Sequence, residues 1–307
     1  ENMPGISGLE TLNRIHDQYS IPVVMITKSE EEYIMEEALG SKISDYLIKP
    51  VNPNQILLSL KKNLDSKRLV NQFITSKYQK EFREISLALM DVRSLKDWEE
   101  IYLKLVHWEV ELDKIDASGM VEILEMQKSE ANSLFFKYVK NNYESWLKES
   151  DDKPVLSHTL LKEKVFPHLK QSKPSFFILI DNLRYDQWKV LQPVIEEWFK
   201  VEEESSFCSI LPTATQYSRN AIFSGLTPLA ISKRFPHLWK NDHEEGGKNL
   251  HEAEFLEDQL QRLGLGDKKH TYHKVVQRQY GERLVNQFSN LLKNDLNVIV
   301  YNFVDML

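Results

Sequence analysis

Three side chains with oxygen donors come at places where a strand-like run ends or a helix begins. Asp181 follows the apolar run Phe176–Ile180, Thr215 follows Pro212-Thr213-Ala214, and Asp305 follows a third apolar run. Two metal ions held by carboxylates can activate a hydroxyl for attack on phosphorus and stabilise the leaving oxygen. The chain has no Gly-x4-Gly-Lys nucleotide loop, so metal ions are the expected source of positive charge. We therefore expect metal-dependent phosphoester chemistry here.

The elements that must position these residues alternate between strand and helix. In the last third we predict strands at 176–180, 207–210 and 298–303, with helices running to 199 and starting at 215. Near the start we predict strands at 21–26 and 46–48, a helix at 29–39 and another opening at Asn52-Pro53. This alternation is typical of parallel sheets covered by helices, so the class is α/β. Ligands of such sheets gather outside the carboxyl ends of the strands.

The middle of the chain is predicted to be helical. Neither Gly nor Pro occurs between Pro53 and Met90, and apolar residues recur there at helical spacing, which predicts one long connecting helix. Further helices are expected at 94–112, 117–128 and 130–148, with a short one at 157–169. These segments predict a small helical bundle.

Composition and charge exclude several classes of protein. The single Cys208 excludes an internal disulfide and a Cys-rich zinc module, and a reducing cytoplasm fits best. No apolar run approaches the ~20 residues that span a membrane. The formal net charge is −7 without a basic cluster, so we expect no direct DNA binding. A transcription factor therefore ranks below the other hypotheses.

The first 63 residues resemble the second half of a response-regulator receiver domain, which has a flavodoxin-like fold. The resemblance rests on Met3-Pro4 with Gly8, Thr27 after a strand, and Tyr46 three residues before Lys49-Pro50. It implies that Thr27 and Lys49 bind a phosphoryl group, that Tyr46 reports the phosphorylated state by its rotamer, and that Lys49-Pro50 is cis. It also implies magnesium for phosphorylation, an acceptor Asp just before residue 1 and a cognate histidine kinase. The alternative is that Lys49-Pro50 merely ends a strand and Thr27 caps a helix.

The last part of the chain resembles the alkaline phosphatase superfamily and its PglZ branch. The residues that carry this are Asp181-Asn182-Leu183-Arg184-Tyr185 and Pro212-Thr213-Ala214-Thr215, followed by Ser224-Gly225-Leu226-Thr227-Pro228. The resemblance implies two zinc ions, with Thr215 as nucleophile and metal ligand and with Thr213 as the reserve candidate. It makes Asp181 and Asp305 metal ligands, and it places further ligands beyond residue 307. We therefore expect zinc-dependent hydrolysis to require the complete chain.

The substrate is less well defined by the sequence. Arg184, Arg219 and Asn220 could face a substrate phosphate, although for each taken alone ordinary surface ion pairing is the interpretation that we favour. Nucleotide phosphodiesters are the expected substrates, because the threonine motif is similar to that of nucleotide phosphodiesterases. Aromatic residues that could stack on a base follow the motif, although such residues are more often core: Tyr217, Phe223 and Trp239.

The order of the three regions resembles the PorX-type response regulators of type IX secretion in Bacteroidetes. We place the receiver half at 1–63, the helical bundle at 64–172 and the C-terminally incomplete phosphatase-like domain at 173–307. The resemblance implies secretion or sigma-factor proteins as partners and a phosphorylation-dependent homodimer. A zinc-dependent phosphodiesterase output is the first hypothesis. The alternative is a non-catalytic, phosphorylation-controlled docking platform that uses a metal-bound PglZ domain.

Overall fold

The computed structural model of this chain describes residues 5–19, 21–28, 43–115, 118–148, 153–170, 173–241 and 243–302. The chain is a mixed α/β protein, as its sequence predicts. It divides into two compact units, one formed by 1–91 with 107–130 and the other by 92–106 with 131–307. No helix within the described ranges has both the length and the apolarity needed to cross a membrane.

The first unit opens with a helix and two parallel strands, α1 (Gly8–Gln18), β1 (Val24–Thr27) and β2 (Asp45–Ile48). Leu12 of α1 and Met25 of β1 are buried together, with Tyr46 of β2 packed against them. These strands confirm the predicted pair. The helix expected at 29–39 falls outside the described residues.

Helix α2 (Pro53–Leu64) begins where the sequence predicts. Asn52 accepts a hydrogen bond from the Asn54 amide over 2.8 Å, and its own amide donates to Gln55 over 3.2 Å. This reciprocal capping satisfies amides that the helix leaves unpaired. Pro53 in the first turn loses no helical hydrogen bond.

The long helices differ from the prediction at their joints. Asp65 ends α2 and precedes α3 (Ser66–Met90), so the expected single helix is two. Helix α4 (Leu95–Asp113) follows, and α5 (Ser118–Trp146) is one helix where the sequence predicted two. No Gly or Pro lies near 129, so nothing there removes a backbone hydrogen bond. Within the first unit, Gln127 of α5 donates to the carbonyl of Phe82 on α3 over 3.0 Å.

A three-stranded parallel sheet forms the centre of the second unit. Its order is β3 (Ser175–Ile180), β5 (Leu296–Tyr301), β4 (His270–Val275). The helices of this part are α6 (Tyr185–Glu196), α7 (Thr215–Ser224), α8 (Pro228–Arg234), α9 (Glu252–Arg262), α10 (Arg278–Asn286) and α11 (Phe288–Leu291). Phe223 of α7, Phe255 of α9 and Val298 of β5 are buried in one core cluster. Helices α7 and α9 therefore pack against the sheet.

Two local predictions for this unit were wrong in detail, and one strand was not predicted. The strand expected at 207–210 is a single bridge between Cys208 and Leu156. The helix expected at 157–169 is a π-helical turn, Leu161–Val165, followed by a 3-10 turn, Phe166–Lys170. Strand β4 was not predicted. It has only one buried residue, Val275, so it lacks the apolar run that marked β3 and β5.

Candidate functional site

Asp181 lies at the carboxyl end of β3. Its amide donates to the carbonyl of Tyr301, the last residue of β5, over 2.9 Å. The next residue, Asn182, has φ 64°, a left-handed conformation that Asn adopts at lower cost than most residues. The chain therefore turns off the sheet directly after Asp181, whose side chain is 24% exposed.

Thr215 is the first residue of α7. The residue before it, Ala214, has no polar side chain, and α7 has no side-chain cap. Asn249 instead fixes this end from outside, because its amide nitrogen donates to the Thr215 carbonyl over 2.9 Å. The first amides of α7 are thus without a capping side chain, and a helix start of this kind favours an anion.

Arg219 connects α7 to the strand ends. Its Nη1 donates to Asp181 Oδ2 over 2.8 Å and also to the side-chain oxygen of Asn302, just after β5. Thr215 and Arg219 are four residues apart, so they share one face of α7, with Cβ atoms about 5–6 Å apart. Because Arg219 contacts Asp181, the face that carries Thr215 is the face next to the end of β3.

Glu252 holds the other side of the Arg219 guanidinium. Its two oxygens accept from Arg219 Nε over 2.7 Å and from Nη2 over 2.6 Å, and its side chain is 1% exposed. Glu252 Oε2 also accepts from the Tyr272 hydroxyl over 2.5 Å and lies 3.5 Å from Lys274 Nζ. Two N–H groups of the Arg219 guanidinium face the two oxygens of the Glu252 carboxylate, and a bidentate pair of this kind is strong and directional.

The pKa values of this cluster follow from burial and charge. Burial lowers the pKa of Arg219, but the bonds to Glu252 and the charge of Asp181 outweigh it, and the net shift is upward. Burial and then the Glu252 charge raise the pKa of Tyr272. Arg219 therefore stays a cation and Tyr272 stays a neutral donor around a buried carboxylate.

The residues that we associated with substrate occupy different positions. Arg184 is exposed and forms a two-bond pair with Asp186, over 2.9 and 2.6 Å. Arg219 forms ion pairs as expected, but it does so in the interior. Asn220 is buried too, and its amide donates to the Lys248 carbonyl over 3.0 Å. Their roles at a substrate remain predictions.

The donors fit part of a metal site. Asp181 and Thr215 offer the oxygen ligands that zinc and magnesium accept, at adjacent strand and helix ends. Asp181 Oδ2 is bonded to Arg219, and its carboxylate is partly exposed. Within the described ranges no three His, Cys, Asp or Glu side chains cluster to hold an ion. Asp305, the third predicted ligand, lies outside the described residues.

In the first unit, the structure brings together two of the residues that we assigned to the phosphorylation switch. Thr27 ends β1 and is buried, Lys49 directly follows β2 and is exposed, and the Lys49 amide donates to the Thr27 carbonyl over 2.7 Å. Tyr46 is half-buried, beside Met25 in the strand register. The Lys49-Pro50 bond is cis, as the resemblance implied. Their functional roles remain predictions.

Sequence reasoning missed Glu252, Tyr272 and Lys274. One signal could have identified Glu252. It precedes Phe255, Leu256 and Leu260 at spacings of three, four and eight, so it occupies a position of the apolar stripe of α9. A carboxylate at such a position is buried and needs a cation beside it. Buried carboxylates are rare unless they have a structural or functional role.

The comparisons with known families divide the chain into three. Residues 1–61 match the response regulator receiver domain, residues 68–147 match the PorX response regulator linker domain, and residues 160–307 match the BREX system PglZ alkaline phosphatase-like domain. This order of regions is a PorX-like architecture. A receiver and an alkaline phosphatase-like region support a two-component regulator with a hydrolase-like output.

Curated relatives match only short stretches. The transcriptional regulatory protein ResD of Bacillus subtilis is 30% identical over 59 residues, which is 19% of this chain and 25% of ResD. The C4-dicarboxylate transport transcriptional regulatory protein DctD of Pseudomonas aeruginosa is 35% identical over 69 residues, 22% of this chain and 15% of DctD. The cyclic di-GMP phosphodiesterase response regulator RpfG of Xanthomonas campestris is 37% identical over 57 residues, 18% of this chain and 15% of RpfG. The chain spans a quarter or less of each relative.

Proposed function

We propose that this protein is a phosphorylation-controlled regulator whose PglZ region is a zinc-dependent phosphodiesterase acting on nucleotide diesters. A histidine kinase supplies the input, as the receiver region implies. The observation that carries the proposal is the contact between Arg219 and Asp181, because it brings the Thr215 face of α7 against the end of β3. The helix face that carries the Thr215 hydroxyl is thus the face turned to the Asp181 carboxylate, at the edge where such sheets bind ligands.

Thr215 is the proposed nucleophile. The Thr215 hydroxyl gives up its proton to solvent, its Oγ attacks phosphorus to form an O–P bond, and the P–O bond to the leaving alkoxide breaks as that alkoxide takes up a proton from solvent. Water then hydrolyses the phosphothreonine and restores the hydroxyl. Two zinc ions, with Asp181, Thr215 and Asp305 among their ligands, would lower the pKa of the hydroxyl and stabilise the charge that develops on the oxygens.

The start of α7 suits an anionic substrate. Since Ala214 leaves the first amides uncapped, these N–H groups can donate to non-bridging phosphate oxygens while Thr215 lies at the same end. Gln216 and Asn220, in the first two turns, donate to the Lys240 and Lys248 carbonyls and so tie α7 to the segment that precedes α9.

The regulatory setting is proposed from the receiver region. Magnesium supports phosphorylation, the protein is cytoplasmic, and type IX secretion or sigma-factor proteins are its downstream partners. Phosphorylation is proposed to drive a homodimer. Its support is the apolar surface of α2 and α3, where large side chains are exposed: Leu57, Leu58, Leu64 and Phe73.

A non-catalytic docking platform is the second candidate. It is supported by apolar side chains that α6 and the residues after it expose, namely Val190, Val194, Trp198 and Phe199. A patch of this kind is typical of protein–protein contacts. In this alternative the bound metal stabilises the PglZ fold, and Thr215 only begins a helix.

The two candidates differ in one assay. Full-length, zinc-loaded protein is assayed with bis-p-nitrophenyl phosphate beside Thr215→Val and, as matched control, Thr213→Val at equal zinc content. We expect Thr215→Val to lower kcat by about 10³-fold or more and Thr213→Val to leave most activity. Activity retained by Thr215→Val overturns the nucleophile, and an inactive zinc-loaded wild type favours the docking platform.

A further inference from the structure

Arg219 lies between two carboxylates that differ in their surroundings. Asp181 is partly exposed, whereas Glu252 is 1% exposed. Glu252 takes two of the guanidinium bonds, from Nε and Nη2, and leaves Nη1 for Asp181. The planar guanidinium is therefore oriented by Glu252, and Nη1 is shared between Asp181 and Asn302.

The cluster is electrically balanced. Its charged members are Asp181, Glu252, Arg219 and Lys274, with Lys274 Nζ 3.5 Å from Glu252 Oε2. Two carboxylates offset two cations within one partly dehydrated site. Coulomb energies are large at such distances away from water, so removing one charge changes the cost of bringing a further cation to Asp181.

We propose that Glu252 is a positioning residue for the strand-end site, and that the Arg219–Glu252 pair sets how strongly Asp181 binds a divalent cation. This inference rests on the proposed function only in taking Asp181 as a metal ligand. Glu252 offsets part of the Arg219 charge, so the arginine can orient Asp181 while it opposes the metal less than an unpaired cation would. Without Glu252, Arg219 is an uncompensated cation 2.8 Å from the ligand oxygen.

Charge balance predicts that replacing Glu252 and replacing Arg219 change the zinc affinity in opposite directions. Glu252→Gln leaves the cluster with one excess cation, and we expect zinc to bind at least about tenfold more weakly, a size usual for residues that support metal ligands. Arg219→Gln removes the competing cation, so zinc should bind more tightly than in wild type. The double variant Arg219→Gln/Glu252→Gln restores the balance and should return affinity to near the wild-type value.

The test measures zinc affinity of the full-length protein by competition with a chromogenic chelator, with Asp181→Asn to identify the site. Glu254→Gln is the matched control, because Glu254 lies on the same helix, is exposed and has its ion pair with His251 rather than with the cluster. Circular dichroism of each zinc-free variant checks folding. If Glu252→Gln does not fold, the tighter binding expected for Arg219→Gln still decides.

Each outcome separates this inference from the proposed function. Opposite shifts with rescue in the double variant support the charge role, even when no diester is hydrolysed. Zinc affinity that falls in both single variants shows that the pair is only structural, and unchanged affinity in both shows that it is irrelevant to the metal. If the wild type binds no zinc through Asp181, both the inference and the metal-dependent function fail.

Discussion

The Lys49 amide nitrogen lies 2.7 Å from the Thr27 carbonyl oxygen, so the neighbouring strands β1 and β2 end at the same level of the sheet. Parallel pairing of β1 with β2 fixes this level, since Thr27 is in register with Ile48. A hydroxyl and an ammonium group at one strand edge can together bind a phosphoryl group. The backbone of both residues therefore lies at one strand edge, and their role in a receiver switch stays a prediction.

Replacing Lys49 should uncouple the receiver from its output. Hydrogen bonds to charged groups contribute about 1.5–3 kcal/mol. Lys49→Ala should therefore raise the concentration of phosphoryl mimic that is needed for dimerisation by about tenfold or more. The measurement is the mass of the full-length protein by light scattering, with beryllofluoride and magnesium as the phosphoryl mimic. Arg14→Ala, exposed on α1 and outside the proposed dimer surface of α2 and α3, is the control. A Lys49→Ala protein that dimerises like wild type would contradict the switch role.

Apolar patterning explains why much of the fold could be predicted. β3 and β5 are runs of apolar residues, and both were expected within two residues of their observed bounds. β4 was missed because its polar side chains are satisfied by partners remote in sequence. Thr271 donates to Asn297 over 3.0 Å, and His273 lies 3.1 Å from the Tyr280 hydroxyl. Long-range hydrogen bonds of this kind leave no periodic signal.

The candidate site was predictable only in part for the same reason. Asp181 and Thr215 could be identified because each stands at a strand end or a helix start. Glu252 pairs with Arg219 across 33 positions, and no local pattern reports that contact. A strand end can be predicted from neighbouring residues, whereas the charges that surround it come together only in the tertiary structure.

Truncating Phe223 should destabilise the second unit strongly. Its side chain is fully buried in α7 and meets Tyr272 edge-to-face at 5.5 Å. Phe223→Ala loses transfer energy and leaves a cavity, so we expect a loss of about 3–5 kcal/mol in the free energy of unfolding. Urea denaturation followed by near-UV circular dichroism measures it. Phe199→Ala, at an exposed site, should change stability by less than about 0.5 kcal/mol, and equal losses would contradict this core assignment.

Gly225 should tolerate alanine less well than Gly264. Both have positive φ, 63° and 72°, so each pays the left-handed strain of about 1–2 kcal/mol when it gains a Cβ. At Gly225 that Cβ would also overlap the buried amide of Gln259, whereas at Gly264 no atom of the described residues lies within 4 Å. The melting temperature of Gly225→Ala should therefore be lower than that of Gly264→Ala. The reverse order would show that Gln259 moves away without cost.

Burial of His273 should make the stability of the second unit fall at mildly acidic pH. Burial lowers the pKa of His273 below its usual 6.5, and its buried Nε2 has no hydrogen-bond partner within the described residues. As pH falls below about 6.5, the unfolded chain takes up a proton that the folded protein refuses, so the free energy of unfolding decreases. Above that pH the contribution is constant.

Urea denaturation at intervals between about pH 7.5 and 5, across the usual histidine range, tests this expectation. His273→Gln keeps a polar group near Tyr280 but cannot titrate, so its stability should depend less steeply on pH than that of wild type. His237→Gln, at an exposed site, is the control and should keep the wild-type slope. Some slope remains in His273→Gln because burial, and then Lys153, also lower the pKa of His158. If His273→Gln and wild type lose stability in parallel, His273 is protonated in the folded protein.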